Sequence, residues 1–288
     1  LAERRAAPSG VLVVDKPRGP TSHDVVARVR KALGTREVGH AGTLDPMATG
    51  VLVIAIGEAT KLVPYLTAED KAYDATIALG VATDTLDAEG EEIARMPVDA
   101  SDEAIEAALA AERARTSQIP PVYSAIKVAG ERAHAKARRG EAAELSPRDV
   151  AVRSLALVKR SATTLDVSLV VAKGYYVRAL ARDLAAALGT VGHLTALRRT
   201  RSGSFRVEEA VALDALAGGV MPLAAAAARV LPSARLSERG VTDAGHGRMI
   251  RRDDIDASAH GTHACFDHEG RLVAIADVRD DGATIARG

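Results

Sequence analysis

The sequence predicts an α+β fold: a mixed, largely antiparallel sheet flanked by helices, followed by a small C-terminal β-rich domain. Three observations carry this. Strand-length apolar or alternating runs recur at Val11–Asp15, Leu52–Ile56, Tyr73–Leu79, Val150–Val158 and Leu165–Val171. Between them lie segments of helical period with recognisable ends. After Leu231-Pro232-Ser233, glycines at 245, 247, 261 and 270 punctuate short β segments such as Thr262–Asp267 and Leu272–Asp277.

Val11–Asp15 is a short, continuously apolar run, as a buried strand requires, and a Pro-Arg-Gly-Pro turn follows it. A helix is predicted over Ser22–Leu33. Thr21 caps it with Asp24 three residues on, and Val25, Val26, Val29 and Leu33 fall on one face. Asp102 to about Ala114 is an alanine-rich helix, Ile119-Pro120-Pro121 interrupts the pattern, and Arg178–Leu188 is a helix ended by Gly189. From Ala210 to about Arg229 the alanine-rich chain is expected to be helical. The division that follows is 1–230 for a large domain and 231–288 for a small one.

With 288 residues, 47% of them hydrophobic and 26% charged, the chain has the makings of a full core and is neither disordered nor fibrous. No apolar run approaches the ~20 residues of a membrane span. The charged start at Glu3, Arg4 and Arg5 does not resemble a signal peptide, so the expected location is cytoplasmic. A single cysteine, Cys265, and eight scattered histidines lack metal-ligand spacing, so no metal is expected. Lysine plus arginine balances aspartate plus glutamate at 38 each, so any RNA must be met by local patches. Basic residues do gather at Arg132, Lys136, Arg138 and Arg139 and again at Arg198, Arg199, Arg201 and Arg206, with acids at Asp84, Asp87, Glu89, Glu91 and Glu92.

The chemistry points to Gly39-His40-Ala41-Gly42-Thr43-Leu44-Asp45-Pro46-Met47-Ala48-Thr49-Gly50. Glycines at 39, 42 and 50 permit tight backbone paths, and Pro46 biases Asp45 away from helix, so one carboxylate is aimed from a short loop beside an apolar strand. An aspartate so placed picks up a proton unless a positive partner keeps it charged.

This string, continued by Val51-Leu52-Val53-Ile54-Ala55-Ile56-Gly57, resembles the catalytic signature of the TruB family of tRNA pseudouridine synthases. The likeness runs from Gly10 to about Phe205. Asp15-Lys16-Pro17-Arg18-Gly19-Pro20-Thr21-Ser22-His23-Asp24 is similar to the family's opening motif, and Lys71-Ala72-Tyr73 to the segment bearing its active-site tyrosine. Pro121-Val122-Tyr123-Ser124-Ala125-Ile126-Lys127 with Gly130 resembles its substrate-side loop. Lys173-Gly174-Tyr175-Tyr176-Val177-Arg178 and Gly192-His193-Leu194-Thr195-Ala196-Leu197-Arg198-Arg199-Thr200 resemble two later motifs. Tyr175 stands where the family commonly has a small or hydroxylated residue.

The resemblance implies a pseudouridine synthase sheet with a PUA-like RNA-binding domain at residues 231–288. It also implies isomerisation of uridine to pseudouridine at position 55 in the T-loop of tRNA, by base flipping and aspartate nucleophilic catalysis, without a cofactor. By the same carry-over Asp45 is the nucleophile, Arg178 its cationic partner and Tyr73 the tyrosine that stacks on uracil. Tyr176 and Leu197 line the pocket, His40 shapes the space left by the flipped base, Lys16 supports the site and Lys173 lies near the base. The expected partner is the tRNA T-arm stem-loop, with no membrane and no obligate protein partner. Whether Asp45 attacks C1′ or C6, and which group moves the protons, is left open. Two other classes compete. One is a non-catalytic RNA-binding protein; the other is a nucleoside hydrolase or glycosidase, disfavoured because the motif around Asp45 offers no second acid.

Overall fold

A computed structural model describes residues 8–124, 126–128, 131–132, 139, 145–216 and 218–288. The charged start at Glu3, Arg4 and Arg5 lies outside them, as do Ala125, Gly130, Lys136 and Arg138, which takes with it much of the first basic run.

The chain opens with β1 (Gly10–Lys16), buried along its length except at half-buried Asp15. Helix α1 (Ser22–Leu33) begins at a full capping box: the Thr21 hydroxyl accepts from Asp24 N at 3.1 Å, and the Asp24 carboxylate accepts from Thr21 N at 2.8 Å. It ends at Gly34 in the left-handed region and buries Val25, Val26 and Val29, the predicted face. Strands β2 (Val38–Ala41) and β3 (Thr49–Ile56) follow, then β4 (Lys71–Leu79), α2 (Asp102–Arg113), β5 (Val152–Arg160), β6 (Thr164–Val171), α3 (Val177–Ala187) and β7 (Gly192–Ser202).

These strands form one sheet in the order β5-β6-β4-β7-β3-β1, closed by Val211–Ala212. Pairing is antiparallel except where β7 meets β3 and where β1 meets Val211–Ala212, so the sheet is mixed and largely antiparallel, as predicted. Alternation explains the wholly apolar β1 and β3. Leu12, Val14, Leu52 and Ile54 face a core shared with Val25, Ile77, Leu165, Leu180 and Leu184. Val11, Val13, Val51 and Val53 face a second core containing Phe205, Ala226, Ala227, Ala264 and Ile275. A strand covered on both faces has no polar alternation to show.

Gly50 sits where β3 runs beside β7, opposite Arg199. Its φ is +99°, and a Cβ there would lie 2.2 Å from the Arg199 carbonyl oxygen. Only glycine lets the two backbones approach so closely at the exit of the Asp45 loop.

The helix expected from Ala210 to Arg229 is corrected. Residues 211–212 and 221–222 are short strands added to the sheet, and the helix covers only Leu223–Val230. Alanine favours helix, but Gly218, Gly219 and Pro222 interrupt it, and pairing with β1 fixes the backbone extended. Beyond Leu231, a six-stranded sheet is built from Ser233–Leu236, Ile250–Arg251, Ile255–Asp256, Gly261–Phe266, Leu272–Arg279 and Gly282–Arg287. This is the β-rich unit expected, with one helix, Glu238–Gly245, that the glycine punctuation did not predict. No helix among the described residues is long and apolar enough to cross a membrane.

Candidate active site

Asp45 lies on the loop between β2 and β3, and the loop is braced almost entirely through its backbone. Lys16, fully buried, donates from Nζ to the carbonyls of Pro17 (3.0 Å), Pro20 (2.8 Å) and Pro46 (3.2 Å). Ser22, at the start of α1, accepts from Leu44 N at 2.9 Å and donates to Leu44 O at 3.1 Å. Arg199 reaches across from β7 to the carbonyls of Val51 (2.7 Å), Gly42 (3.0 Å) and Thr43 (3.4 Å). Buried polar groups with full partners fix position, which a carboxylate in a reaction needs.

Arg178, in the first turn of α3, meets that carboxylate. Its Nε stands 2.9 Å from Asp45 Oδ2, with the arginine 6% and the aspartate 35% exposed. The same Nε is 3.7 Å from Asp87 Oδ2, while Nη1 and Nη2 donate to Thr85 O (2.9 Å) and Tyr123 O (2.7 Å). Four partners therefore divide one guanidinium. Burial raises the Asp45 carboxyl above the ordinary carboxylate range; Arg178 opposes the rise and Asp87 adds to it. The positive partner that Asp45 needs is in place, but it does not bring the net shift below the ordinary value.

Two cavities share Thr43, Leu44, Asp45, Ser124 and Arg178 as a common wall. The first, about 320 Å³, is also lined by Tyr73, Tyr176, Leu197, Lys173 and Lys71. The second, about 480 Å³, is also lined by His23, Thr85, Asp87, Glu89 and Tyr123. Tyr176 is held by Gln118, whose side chain accepts from its N at 2.9 Å and donates to its O at 3.2 Å.

Of the residues singled out from sequence, Asp45, Tyr73, Arg178, Tyr176, Leu197 and Lys173 thus meet at one cavity. His40 and Lys16 do not line it. Lys16 lies beneath the loop; His40 stands behind His23, their rings edge to face at 5.4 Å, with Nδ1 buried and without a hydrogen bond among the described residues. Burial, His23 and Arg199 lower the His40 pKa. Metal-ligand groupings are absent among the described residues.

Three features of the surroundings come from the fold rather than from the motifs. The motif around Asp45 holds no second acid, yet folding brings Asp87, forty-two positions after Asp45, to Arg178, through a loop tied to β7 by Leu194 N donating to Leu86 O at 3.0 Å. Asp87 Oδ1 accepts from Thr85 Oγ1 (2.7 Å) and Glu89 N (3.0 Å), so it is a buried support for the guanidinium and its local turn. The second basic run is not uniformly a free surface: Arg199 is 1% exposed, while Arg198, 41% exposed, pairs with both oxygens of Asp15 at 3.1 and 2.8 Å. Finally, the Tyr175 hydroxyl points to the core, donating to buried Glu112 Oε1 at 2.7 Å, and burial with Glu112 pushes its pKa up. Tyr175→Phe removes one partner of a buried carboxylate and is expected to lower stability by about 1–3 kcal/mol. Urea unfolding should show that loss while the catalytic rate changes less than about twofold, since the hydroxyl does not reach the reaction.

Residues 30–177 match the family model described as TruB family pseudouridylate synthase (N terminal domain), and residues 178–231 match the tRNA pseudouridylate synthase B C-terminal domain. Among curated proteins, the chain is 49% identical to tRNA pseudouridine synthase B of Thermobifida fusca (strain YX) over 94% of each chain. It is 55% identical to the protein of that name from Nocardia farcinica (strain IFM 10152), over 74% of this chain and 72% of the relative. Among solved structures, the fold is similar to a chain of a Cbf5-Nop10-Gar1 complex, with TM-score 0.77 and 24% identity over 98% of this chain and 84% of that one. A chain of an H/ACA RNP bound to a substrate RNA containing 2'-deoxyuridine gives TM-score 0.72 at 24% identity, over 97% and 84%.

Proposed function

Because the chain belongs to the TruB family of tRNA pseudouridine synthases, and so is an isomerase that converts uridine to pseudouridine in tRNA, we propose the following course for that reaction. The target is uridine 55 in the T-loop. Its base is flipped into the cavity lined by Tyr73, Tyr176 and Leu197, and contact with these side chains offsets the cost of unstacking. Asp45, ionised and steadied by Arg178, is the nucleophile that forms the covalent intermediate. The observation that carries this reading is the 2.9 Å contact between Asp45 Oδ2 and Arg178 Nε at the wall of that cavity.

The second cavity, on the other side of the same carboxylate, takes the rest of the T-loop, with His23 in its wall and His40 packed behind His23. Residues 231–288 act as the PUA-like RNA-binding domain. Asp87 is buried beside Arg178 with Oδ1 engaged by Thr85 and Glu89 N, so it is a support for the guanidinium rather than the acid that a glycosidase places on the leaving group.

A T-arm stem-loop tritiated at C5 of the target uridine tests the reading. Exchange of C5 hydrogen accompanies rejoining through C5, so label release with the base retained in the RNA is the expected result. Binding without release favours an RNA-binding role, and free uracil favours a hydrolase.

A further inference from the structure

Four cationic side chains are buried among the described residues, Lys16, Lys71, Arg178 and Arg199, and all surround the Asp45 loop or its cavity. Lys16 matches its three N–H donors with three carbonyls, and Arg178 and Arg199 each have an acceptor on all three guanidinium nitrogens, using three of five N–H donors.

Lys71 differs. It is 6% exposed and stands two positions before Tyr73 on β4, hence on the same strand face, lining the same cavity. Its Nζ donates to Thr67 O at 2.7 Å and to Glu69 O, which leaves one N–H of the ammonium. No carboxylate pairs with it among the described residues. Its Cε lies 3.8 Å from the point where a Cβ on Gly42 would project, so the arm lies against the bend that carries Asp45. Burial lowers its pKa to about 8, which leaves the ammonium predominant at neutral pH. A buried charge without a counter-ion is costly, and sites that stabilise transient anions are where proteins keep one.

We propose that Lys71 is a further catalytic residue, whose free N–H donates a hydrogen bond to a uracil carbonyl oxygen as negative charge develops on the base. This rests on the reading above and holds for either course of attack. If the C1′–N1 bond breaks, its electron pair stays on N1 and spreads to the carbonyl oxygens. If Asp45 adds to C6, the C5–C6 π pair moves toward C4 and the charge appears on O4. Lys71 keeps its proton throughout; it supplies field and one hydrogen bond at the moment the anion forms. An RNA phosphate oxygen is the other anionic group that can accept from this N–H.

The experiment compares the full chain with Lys71→Met and Lys71→Arg on T-arm stem-loops carrying uridine or 5-fluorouridine at the target, measuring single-turnover loss of the starting nucleoside, RNA affinity and thermal melting. Fluorine stabilises the base anion, so the fluorinated substrate needs less help. Lys71→Met is expected to slow uridine turnover about 100-fold with affinity within about twofold, to lose at least about tenfold less on 5-fluorouridine, and to be largely rescued in Lys71→Arg. An equal loss on both substrates makes Lys71 a brace for Thr67 and Glu69 and overturns the proposal; so does weakened affinity with an unchanged rate, the mark of a phosphate contact. Should Lys71→Met fail to fold, Lys71→Gln, uncharged but with two N–H donors, gives the same comparison. If the unaltered chain leaves both substrates unconverted, the assignment of the T-loop uridine fails first and takes this role with it.

Discussion

Asp45→Asn is expected to end C5-tritium release, with a loss of about a thousandfold or more, while the protein still binds the T-arm and melts no lower than the parent. The amide keeps the shape of the carboxylate and a carbonyl oxygen toward Arg178, but it is not a nucleophile. Stability should not fall, because the folded surroundings disfavour the ionised acid: burial and Asp87 raise its pKa above the unfolded value despite Arg178. For a carboxyl raised on folding, the favourable contribution is complete below the unfolded pKa and disappears as pH climbs through the folded one. At neutral pH the parent carries that unfavourable ionised group and the variant does not. Activity of the parent runs the other way, rising with pH as Asp45 ionises, so its acid limb should lie above the range of an ordinary aspartate. A substantial residual release by Asp45→Asn, or a marked drop in its melting temperature, contradicts this account.

Arg178→Met should injure both fold and chemistry. The side chain it removes is 6% exposed and serves Asp45, Asp87 and two backbone carbonyls at once. Its loss leaves two carboxylates facing each other's field without a cation, a situation that typically costs about 3–5 kcal/mol. Catalysis should fall by about 10²–10³, since the remaining Asp45 is more readily protonated. Arg178→Lys should rescue little: an ammonium is a point donor and does not span the same four acceptors as a planar fork. Urea unfolding checks the mechanism. The deficit of Arg178→Met should shrink on acidification, as the orphaned carboxylates take up protons, and should also shrink in the Asp45→Asn background, because the two positions are coupled. A deficit that is independent of pH and additive with Asp45→Asn would show that the arginine acts through packing alone.

What the sequence made legible was chiefly local. The capping box at Thr21 and Asp24 and the apolar stripe of α1 are written within thirteen residues, and the helix begins and ends where they place it. Strand β7 was harder to anticipate as a strand, since Arg198, Arg199 and Arg201 interrupt its apolar run. Arg199 is nevertheless interior, because carbonyls from the Asp45 loop and β3 satisfy its guanidinium. Composition registers such an arginine as a surface charge; only the fold supplies its acceptors. Asp87 and Glu112 were hidden for the same reason, their partners Arg178 and Tyr175 lying far along the chain. The gathering of Asp45, Tyr73, Tyr176 and Arg178 was reachable through family likeness, whereas periodicity and spacing offered no means of pairing them.

The grip of Lys16 and Arg199 on the Asp45 loop is made wholly on main-chain oxygens, which every amino acid possesses. The hold is therefore indifferent to the side chains it passes. Replacing either clasping cation therefore removes several main-chain anchors of the acid at once, whereas changing a loop side chain removes none of these hydrogen bonds.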